Sequence, residues 1–235
     1  RFWIDLERLH AQVVAFNLHL MEGWRRFELA LGSDGISPIP IKGPVLSARA
    51  YQDGALRQIE DLDALVHVRQ IEALPRTLAR FGFRLLKGPP PLRAPAYARS
   101  HQEWLFSDPQ GRVFDIKPVP ISHRIARPGD YDLVQARLAD VVLGDRGKVF
   151  RGPDTLSMAI LACMHGADDG WPSVRHVADV AGLLAALEER GVSRLAEVAR
   201  EWRQARSVSV GLALCERLGV VETGLIGGTA PLTRF

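Results

Sequence analysis

The chain opens with apolar residues spaced as on one face of a helix. Between residues 4 and 31, large apolar side chains recur at steps of three and four, as in an amphipathic helix. Gly32 follows directly, and glycine is typical of a helix end. The face consists of Leu6, Leu9, Val13, Phe16, Leu20, Trp24, Phe27 and Leu31. We therefore predict a long N-terminal helix that braces or covers the rest of the molecule.

Short apolar runs separated by turn residues predict a small sheet in the first half of the chain. The predicted strands span 39–42, 62–68, 83–86, 103–106 and 112–117. The last two flank Asp-Pro-Gln-Gly, which favours a β-hairpin. Helices are expected at 44–51, with Pro44 in the first turn, and within 69–81, where Pro75 indicates a kink or a late start.

The second half of the chain has helical spacing from about Asp132 almost to the end. The clearest stretches are 154–165, 173–190, 193–206 and 207–218. The predicted fold class is α+β, with a small mixed β-sheet domain with helices at 1–130 followed by an all-α domain at 131–235. A loop at 88–98 contains five prolines or glycines in eleven residues and is expected to be mobile or to face a partner.

Composition narrows the class of protein without identifying a function. Hydrophobic residues make up 47% of 235 residues, enough for a substantial core, and 30 basic against 27 acidic residues leave a net charge of only +3. No apolar run approaches the roughly 18 residues that a membrane-spanning helix needs. Cys163 and Cys215 lie in apolar stretches without metal-ligand spacing. We expect a cytoplasmic protein with no membrane partner and no disulfide-linked partner.

Three aspartates form the most specific candidate site. Asp61 and Asp63 stand one residue apart at the entrance to a predicted strand, so both carboxylates point to one face. Asp115 lies on another strand that could pair beside the first. Three oxygen ligands without His or Cys suit Mg²⁺ or Mn²⁺ and not zinc. The alternatives are a capped turn for the pair, and a strand-end salt bridge between Asp115 and Arg112 or Lys117.

The sequence contains its own control for the Asp-x-Asp spacing. Asp130 and Asp132 have the same separation as Asp61 and Asp63 and are also followed by apolar residues. They follow Pro-Gly and open a predicted helix, where aspartate is expected as a cap. We therefore assign metal binding to the first pair only.

Basic residues that could contact phosphate lie upstream of the first aspartate pair. Ile-Lys-Gly-Pro at 41–44 predicts a strand, a glycine turn and a helix start, where backbone N–H groups can receive a phosphate. Lys42 would add a charge there, and Gly43 would satisfy the backbone of the turn. Arg57, four residues before Asp61, could reach the same phosphates. Lys42 and Arg57 could instead be ordinary solvated side chains.

At this point the chain resembles a known family. Over residues 36 to 220 it is similar to the uncharacterised nucleotidyltransferase family of the DNA polymerase β-type superfamily. The residues that carry the resemblance, in order, are Lys42-Gly43, Tyr51, Arg57, Asp61-x-Asp63, Leu65-Val66, Phe114-Asp115-Ile116, His165, Trp171 and Asp179. The resemblance implies a small mixed sheet that carries the three carboxylates, with a helical domain behind it.

The resemblance also implies an activity. It would be metal-dependent transfer of a nucleoside monophosphate from an NTP, expected to be ATP, to an unidentified acceptor, with release of pyrophosphate. Asp61, Asp63 and Asp115 would be the catalytic metal ligands. Nucleotide contacts would come from Lys42, Gly43, Arg57, Lys117 and His165. The acceptor could be a small molecule, a protein or RNA, and one alternative that the resemblance leaves open is a toxin-like nucleotidyltransferase acting on tRNA or protein.

Two positions depart from the expected pattern. Lys42-Gly43 stands where the superfamily usually has Gly-Ser, so no serine hydroxyl is available there. Lys117 stands two residues after the third carboxylate, where closer relatives tend to have His. The second departure supports an alternative, a non-catalytic or regulatory module that retains the fold. His165 also has two interpretations, a nucleotide contact or a structural hydrogen bond with Asp179.

Overall fold

A computed structural model describes most of the chain. The described residues are 2–53, 56–88, 103–121, 125, 130–143, 148–187 and 189–220. Beyond Gly88, the loop predicted at 88–98 lies outside them.

The bounds of the helices and strands agree closely with the sequence prediction in the first half of the chain. The helices of the described part are α1 (Phe2–Gly32), α2 (Gly43–Tyr51), α3 (Leu74–Ala79), α4 (Asp130–Gln135), α5 (Thr155–Asp169), α6 (Val174–Ala186), α7 (Glu189–Glu201) and α8 (Ala205–Arg217). The strands are β1 (Ile39–Pro40), β2 (Leu62–Leu65), β3 (Arg84–Lys87), β4 (Trp104–Ser107), β5 (Val113–Lys117), β6 (Leu138–Leu143) and β7 (Lys148–Pro153). A short 3₁₀ turn, Ile71–Ala73, precedes α3, and Pro75 sits in the first turn of that helix, as the late-start prediction requires.

The central sheet is mixed and has the strand order β1-β2-β5-β4-β3. Strands β2 and β5 are parallel, whereas the other neighbouring pairs are antiparallel. The parallel pairing matters most, because it sets Asp63 directly beside Asp115. The predicted α+β fold with a small mixed sheet is confirmed, as is the β4–β5 hairpin.

Helix α1 covers one face of the sheet with only part of its apolar stripe. Phe27 is fully buried and stacks on Phe114 of β5, with ring centroids 4.7 Å apart. Leu20 and Trp24 belong to the same buried cluster, which also includes residues of α3. Nearer its start the helix differs from the prediction, since Leu6, Leu9 and Phe16 of the same stripe are exposed.

A second buried cluster joins α2 to the helices of the second half. It combines Ile41 and Val45 with residues of α5, α6 and α8 such as Ile160, Val180 and Leu212. The predicted boundary between 130 and 131 therefore runs through one continuous core. The division into two domains remains a prediction.

The second half is not entirely helical, contrary to the prediction. Strands β6 and β7 form an antiparallel hairpin in a sheet of their own, with Val141 opposite Phe150. The hairpin lies between the six-residue helix α4 and the longer helix α5. The run Asp140-Val-Val-Leu143 is rich in β-branched residues, which favour strands.

Two further observations concern the membrane and redox expectations. Within the described ranges, no helix combines the length and the hydrophobicity needed to cross a bilayer. Cys163 and Cys215 are both buried free thiols.

Candidate active site

The three aspartates meet at one edge of the sheet. Asp63 and Asp115 are register partners on the parallel strands β2 and β5, so their side chains share a face. Both are buried, with 3% and 7% of their surface exposed. Asp61 precedes β2 by one residue and is exposed. The local sequence explains this arrangement, because period-two alternation keeps Asp61 and Asp63 on the same side.

Two lysines bind the buried carboxylates. The Lys117 Nζ lies 2.6 Å from Oδ2 of Asp115 and 3.2 Å from Oδ1 of Asp63. The Lys42 Nζ lies 3.3 Å from the same Asp63 oxygen. Lys117 thus bridges the two strands through their carboxylates. The salt bridge between Asp115 and Lys117, one of the alternatives drawn from the sequence, is present. Asp115 also lies beside Asp63, as metal binding would require.

Burial and these contacts shift the pKa values of the aspartates and of Lys117, and the two buried aspartates shift in opposite directions. Burial raises the pKa of Asp115 to about 6, with Lys117 opposing the effect and the Asp63 charge adding to it. Burial alone would raise the pKa of Asp63 as well, but the ammonium groups of Lys42 and Lys117 together lower it. Burial disfavours the charged form of Lys117, yet the two carboxylates outweigh it and raise the pKa. The pKa of Asp61 is raised by partial desolvation and by the charge of Asp63.

The carboxylate oxygens provide a test of whether a divalent ion fits here. Oδ2 of Asp63 and Oδ1 of Asp115 are buried and accept no hydrogen bond from any described group. A buried carboxylate oxygen without a partner is costly, so both atoms are suited to a cation. All the ligand atoms are oxygens, the set that Mg²⁺ prefers. The residues present therefore fit a divalent ion of the Mg²⁺ class.

The turn between β1 and α2 is built around Gly43. Its φ is +51°, and a Cβ there would lie 3.2 Å from Cγ2 of Ile59 and 3.3 Å from the carbonyl oxygen of Asp61. Glycine is thus needed both for the backbone conformation and for the close approach of the neighbouring chain. Lys42 is the N-cap of α2 and its side chain makes no capping hydrogen bond. The turn consequently brings the ammonium group of Lys42 to Asp63.

Arg57 lies in a different environment from the one expected. It is 8% exposed, and its Nε donates to Oδ1 of Asp179 at 2.9 Å. The hydroxyl of Tyr51 donates to the same oxygen at 2.9 Å. Asn17 of α1 fixes the backbone of the segment by donating to the carbonyl of Arg57 at 2.9 Å. The guanidinium is therefore held by helix α6, and Asp179 is paired with Arg57 and Tyr51 rather than with His165.

A cleft of about 250 Å³ opens beside the carboxylates. Lys42, Lys117, His165 and Asp169 line it, whereas Asp61, Asp63 and Asp115 are not among its lining residues. Burial and the charge of Lys42 lower the pKa of His165 to about 4. Three of the predicted nucleotide-contacting residues, Lys42, Lys117 and His165, thus face a common space.

Three residues of this region were not identified from the sequence. Glu103 lines the cleft and accepts from Lys87 Nζ at 2.6 Å, and that hydrogen bond lowers its pKa. Asp169 places its Oδ2 3.4 Å from a ring nitrogen of His165 and 3.4 Å from a ring nitrogen of His176. His176 stands on a separate helix, so no local motif links it to His165.

The sheet and its carboxylates are similar to those of a known class of protein. A mixed sheet that carries aspartates on adjacent parallel strands, with helices packed against it, resembles a nucleotidyltransferase scaffold of the DNA polymerase β type. The chain belongs to the uncharacterised nucleotidyltransferase family, whose model matches residues 4–219. The match begins further upstream than the resemblance noted at 36–220 and includes α1.

Solved structures support the fold at low sequence identity. The solution structure of the antibiotic-resistance factor ANT(2'')-Ia is similar to this chain with a TM-score of 0.50 and 14% identity. The similarity covers 81% of this chain and 92% of the other. The comparison with curated proteins gives no significant match.

Proposed function

We propose that this chain is a metal-dependent nucleotidyltransferase that moves a nucleoside monophosphate from an NTP to an acceptor and releases pyrophosphate. Nucleotidyl transfer in general follows from the family and the fold. Metal dependence and the roles of individual residues are the further steps of the proposal.

One observation carries the proposal. Asp63 and Asp115 are buried side by side, and each keeps one oxygen without a hydrogen-bond donor in the described structure. Two buried carboxylates repel each other, and the ammonium groups of Lys42 and Lys117 offset this repulsion but leave one oxygen of each carboxylate without a donor. With Asp61 at the exposed end, the three carboxylates would form a cation site, and the two lysines that contact Asp63 line the neighbouring cleft.

The aspartates would hold the ions, and the basic residues would hold the nucleotide. Asp61, Asp63 and Asp115 are assigned as ligands of Mg²⁺ or Mn²⁺. Such ions, when bound, neutralise triphosphate charge and activate the attacking hydroxyl. Lys42 and the backbone at Gly43 would then contact the triphosphate.

Lys117 and His165 complete the proposed nucleotide site. Once an ion neutralises the carboxylates, the ammonium group of Lys117 is available to the triphosphate in the same cleft. His165 faces that space from α5 and would contact the nucleotide as a neutral imidazole. ATP is the nucleotide we propose to test first, and the acceptor may be sought among small molecules, proteins and RNA.

Arg57 receives a different role from the one that the resemblance implies. Its buried ion pair with Asp179 leaves the guanidinium turned to helix α6. We assign it to holding the segment before β2 against the helices, so that Asp61 and Asp63 enter the strand in register. Its contribution to nucleotide binding would be indirect.

The non-catalytic alternative is supported by the same lysine that lines the site. Lys117 bridges both buried carboxylates, and a permanent bridge of this kind would exclude an ion. A regulatory module would then keep the fold without the chemistry. The two accounts differ in whether nucleotide and metal bind together.

The deciding experiment is calorimetric titration of ATP, GTP, CTP and UTP with Mg²⁺ into the wild type and into an Asp61→Asn/Asp63→Asn variant. We expect Mg²⁺-dependent binding of at least one nucleotide by the wild type and at least about tenfold weaker binding by the variant, which is roughly 1.4 kcal/mol. Asp132→Asn is the matched control, since Asp132 belongs to the other Asp-x-Asp pair and is exposed.

Folding of each variant is checked by circular dichroism and thermal unfolding. If folded wild type bound none of the four nucleotides in Mg²⁺ or Mn²⁺, the transferase proposal would be abandoned in favour of the non-catalytic module. Equal nucleotide binding by the wild type and the Asp61→Asn/Asp63→Asn variant would show that these two carboxylates take no part in nucleotide binding.

A further inference from the structure

A second group of potential metal ligands lies on helices α5 and α6, and two of its members line the cleft. His165 and Asp169 lie four residues apart on α5, and His176 lies in the first turn of α6. Oδ2 of Asp169 is 3.4 Å from Nδ1 of His165 and 3.4 Å from Nε2 of His176. The three ligand atoms all lie within 4.8 Å of one another. The two imidazoles therefore converge on one carboxylate oxygen.

The spacing of these atoms suits ligands around an ion better than direct hydrogen bonds. Nitrogen and oxygen ligands at 2.0–2.1 Å from a tetrahedral zinc ion are about 3.3 Å apart. The two measured separations of 3.4 Å match that edge, whereas N–H···O hydrogen bonds usually span about 2.7–3.2 Å. The third separation, between the two imidazole nitrogens, is no more than 4.8 Å.

The surroundings hold the ligands in this orientation. The Nδ1 of His176 is 3.1 Å from the hydroxyl oxygen of Ser173, which leaves Nε2 directed at Asp169. Metal-binding histidines commonly have such a hydrogen bond on the second ring nitrogen. The connection between the helices is tight, because Gly170 has a φ of +77° and the Trp171 N–H donates to the carbonyl of Gly166 at 2.8 Å. This short turn brings α6 alongside the end of α5.

We propose that His165, Asp169 and His176 bind a transition-metal ion of the zinc class. Two imidazole nitrogens and one carboxylate suit Zn²⁺ and similar ions, in contrast to the all-oxygen ligand set of Asp61, Asp63 and Asp115. Three protein ligands leave a fourth position open, the pattern of sites that also bind water or a substrate. Because His165 and Asp169 line the cleft, that position faces the space assigned to the nucleotide and its acceptor.

The site does not depend on nucleotidyl transfer, since its ligands come from the helices alone. The test uses the full chain after removal of metals with a chelator. Zn²⁺ is titrated in competition with a chromogenic chelator in the presence of excess Mg²⁺, and Co²⁺ binding is followed by its visible absorption. The variants are Asp169→Asn, which keeps the size of an exposed side chain, and His176→Ala; His10→Ala, at an exposed histidine, is the control.

We expect the wild type to bind Zn²⁺ at one site that Mg²⁺ does not displace, with a tetrahedral Co²⁺ spectrum. Both ligand variants should lose at least about tenfold in Zn²⁺ affinity while the control and Asp61→Asn/Asp63→Asn retain it. Unchanged affinity in folded Asp169→Asn and His176→Ala would overturn the proposal and leave a His–Asp–His ion pair. Loss of Zn²⁺ only in the double-aspartate variant would also overturn it, by placing the zinc at the sheet. Nucleotide titration of the same proteins tests the proposed function separately.

Discussion

At the scale of single residues, Lys117 has the largest consequence for the proposed chemistry. Its ammonium group contacts both buried aspartates, so its charge competes with a divalent ion that binds their other oxygens. Replacing Lys117 by Met retains most of the aliphatic chain and removes the competing charge. Lys42 alone would then offset the repulsion between the two carboxylates until an ion binds.

We therefore expect Lys117→Met to bind Mn²⁺ at least about tenfold more tightly than the wild type in the absence of nucleotide, which corresponds to roughly 1.4 kcal/mol. The signal of free Mn²⁺ in electron paramagnetic resonance measures this directly. Arg25→Met is the control, because Arg25 is exposed and its ion pair is with Glu22 rather than with the aspartates. Weaker Mn²⁺ binding by Lys117→Met would show that the lysine supports the ion rather than competing with it.

The sequence predicted those site residues whose neighbours are set by local structure. Asp61 and Asp63 share a face because strand side chains alternate. Asp115 was assigned to the same site from its position on a strand and from the resemblance to the nucleotidyltransferase family. The partner of Arg57 could not be predicted from the sequence, because Asp179 is 122 positions away and only the packing of α6 brings it close. The same reason applies to His176, which meets His165 across a turn between two helices.

At the scale of elements, the ion pair between Arg57 and Asp179 joins the segment before β2 to helix α6. Both side chains are buried, and Tyr51 of α2 shares the same carboxylate oxygen. Removing one partner of a buried pair leaves an uncompensated charge, whereas replacing both by apolar residues is often tolerated. This asymmetry separates a structural role for Arg57 from a direct role in binding phosphate.

We predict that Asp179→Ala lowers the free energy of unfolding by about 3–5 kcal/mol in urea denaturation. The double variant Arg57→Met/Asp179→Leu should recover more than half of the loss. Glu22→Ala, in the exposed pair with Arg25, is the control and should cost less than about 1 kcal/mol.

Nucleotide titration of the same double variant tests the role of Arg57. If Arg57 only positions the segment, the folded double variant binds NTP within about twofold of the wild type, a change below roughly 0.5 kcal/mol. A much larger loss of NTP binding, with stability recovered, would show that Arg57 contacts the phosphates directly.

The elements that the sequence predicted well are those with one dominant pattern. Helix α1 and the β4–β5 hairpin were predicted nearly to the residue, because period and turn chemistry agree there. The β6–β7 hairpin was missed, since its six-residue strands lie between strongly helical segments. The exposed beginning of α1 was also not foreseen, because an apolar stripe indicates a face suited to burial and not what covers it.

At the scale of the whole molecule, one buried cluster unites the sheet side with the helices. Ile39 and Ile41, next to the candidate site, pack in the same cluster as Ile160 and Leu183 of the second half. Burial of this cluster supports both halves at once. A chain cut at the predicted boundary would expose the apolar surface of each half to water.

We therefore predict that the full chain unfolds in one cooperative transition and that a fragment of residues 1–130 does not fold cooperatively by itself. Urea denaturation followed by circular dichroism would show a sloping, non-cooperative loss of signal for the fragment, with binding of a dye specific for exposed apolar surface. Mixing it with a fragment of residues 131–235 should restore a transition if the shared cluster is the reason. A sharp transition of the isolated fragment, with metal and nucleotide binding retained, would instead establish the first half as an autonomous domain and confine the shared cluster to an interface between two domains.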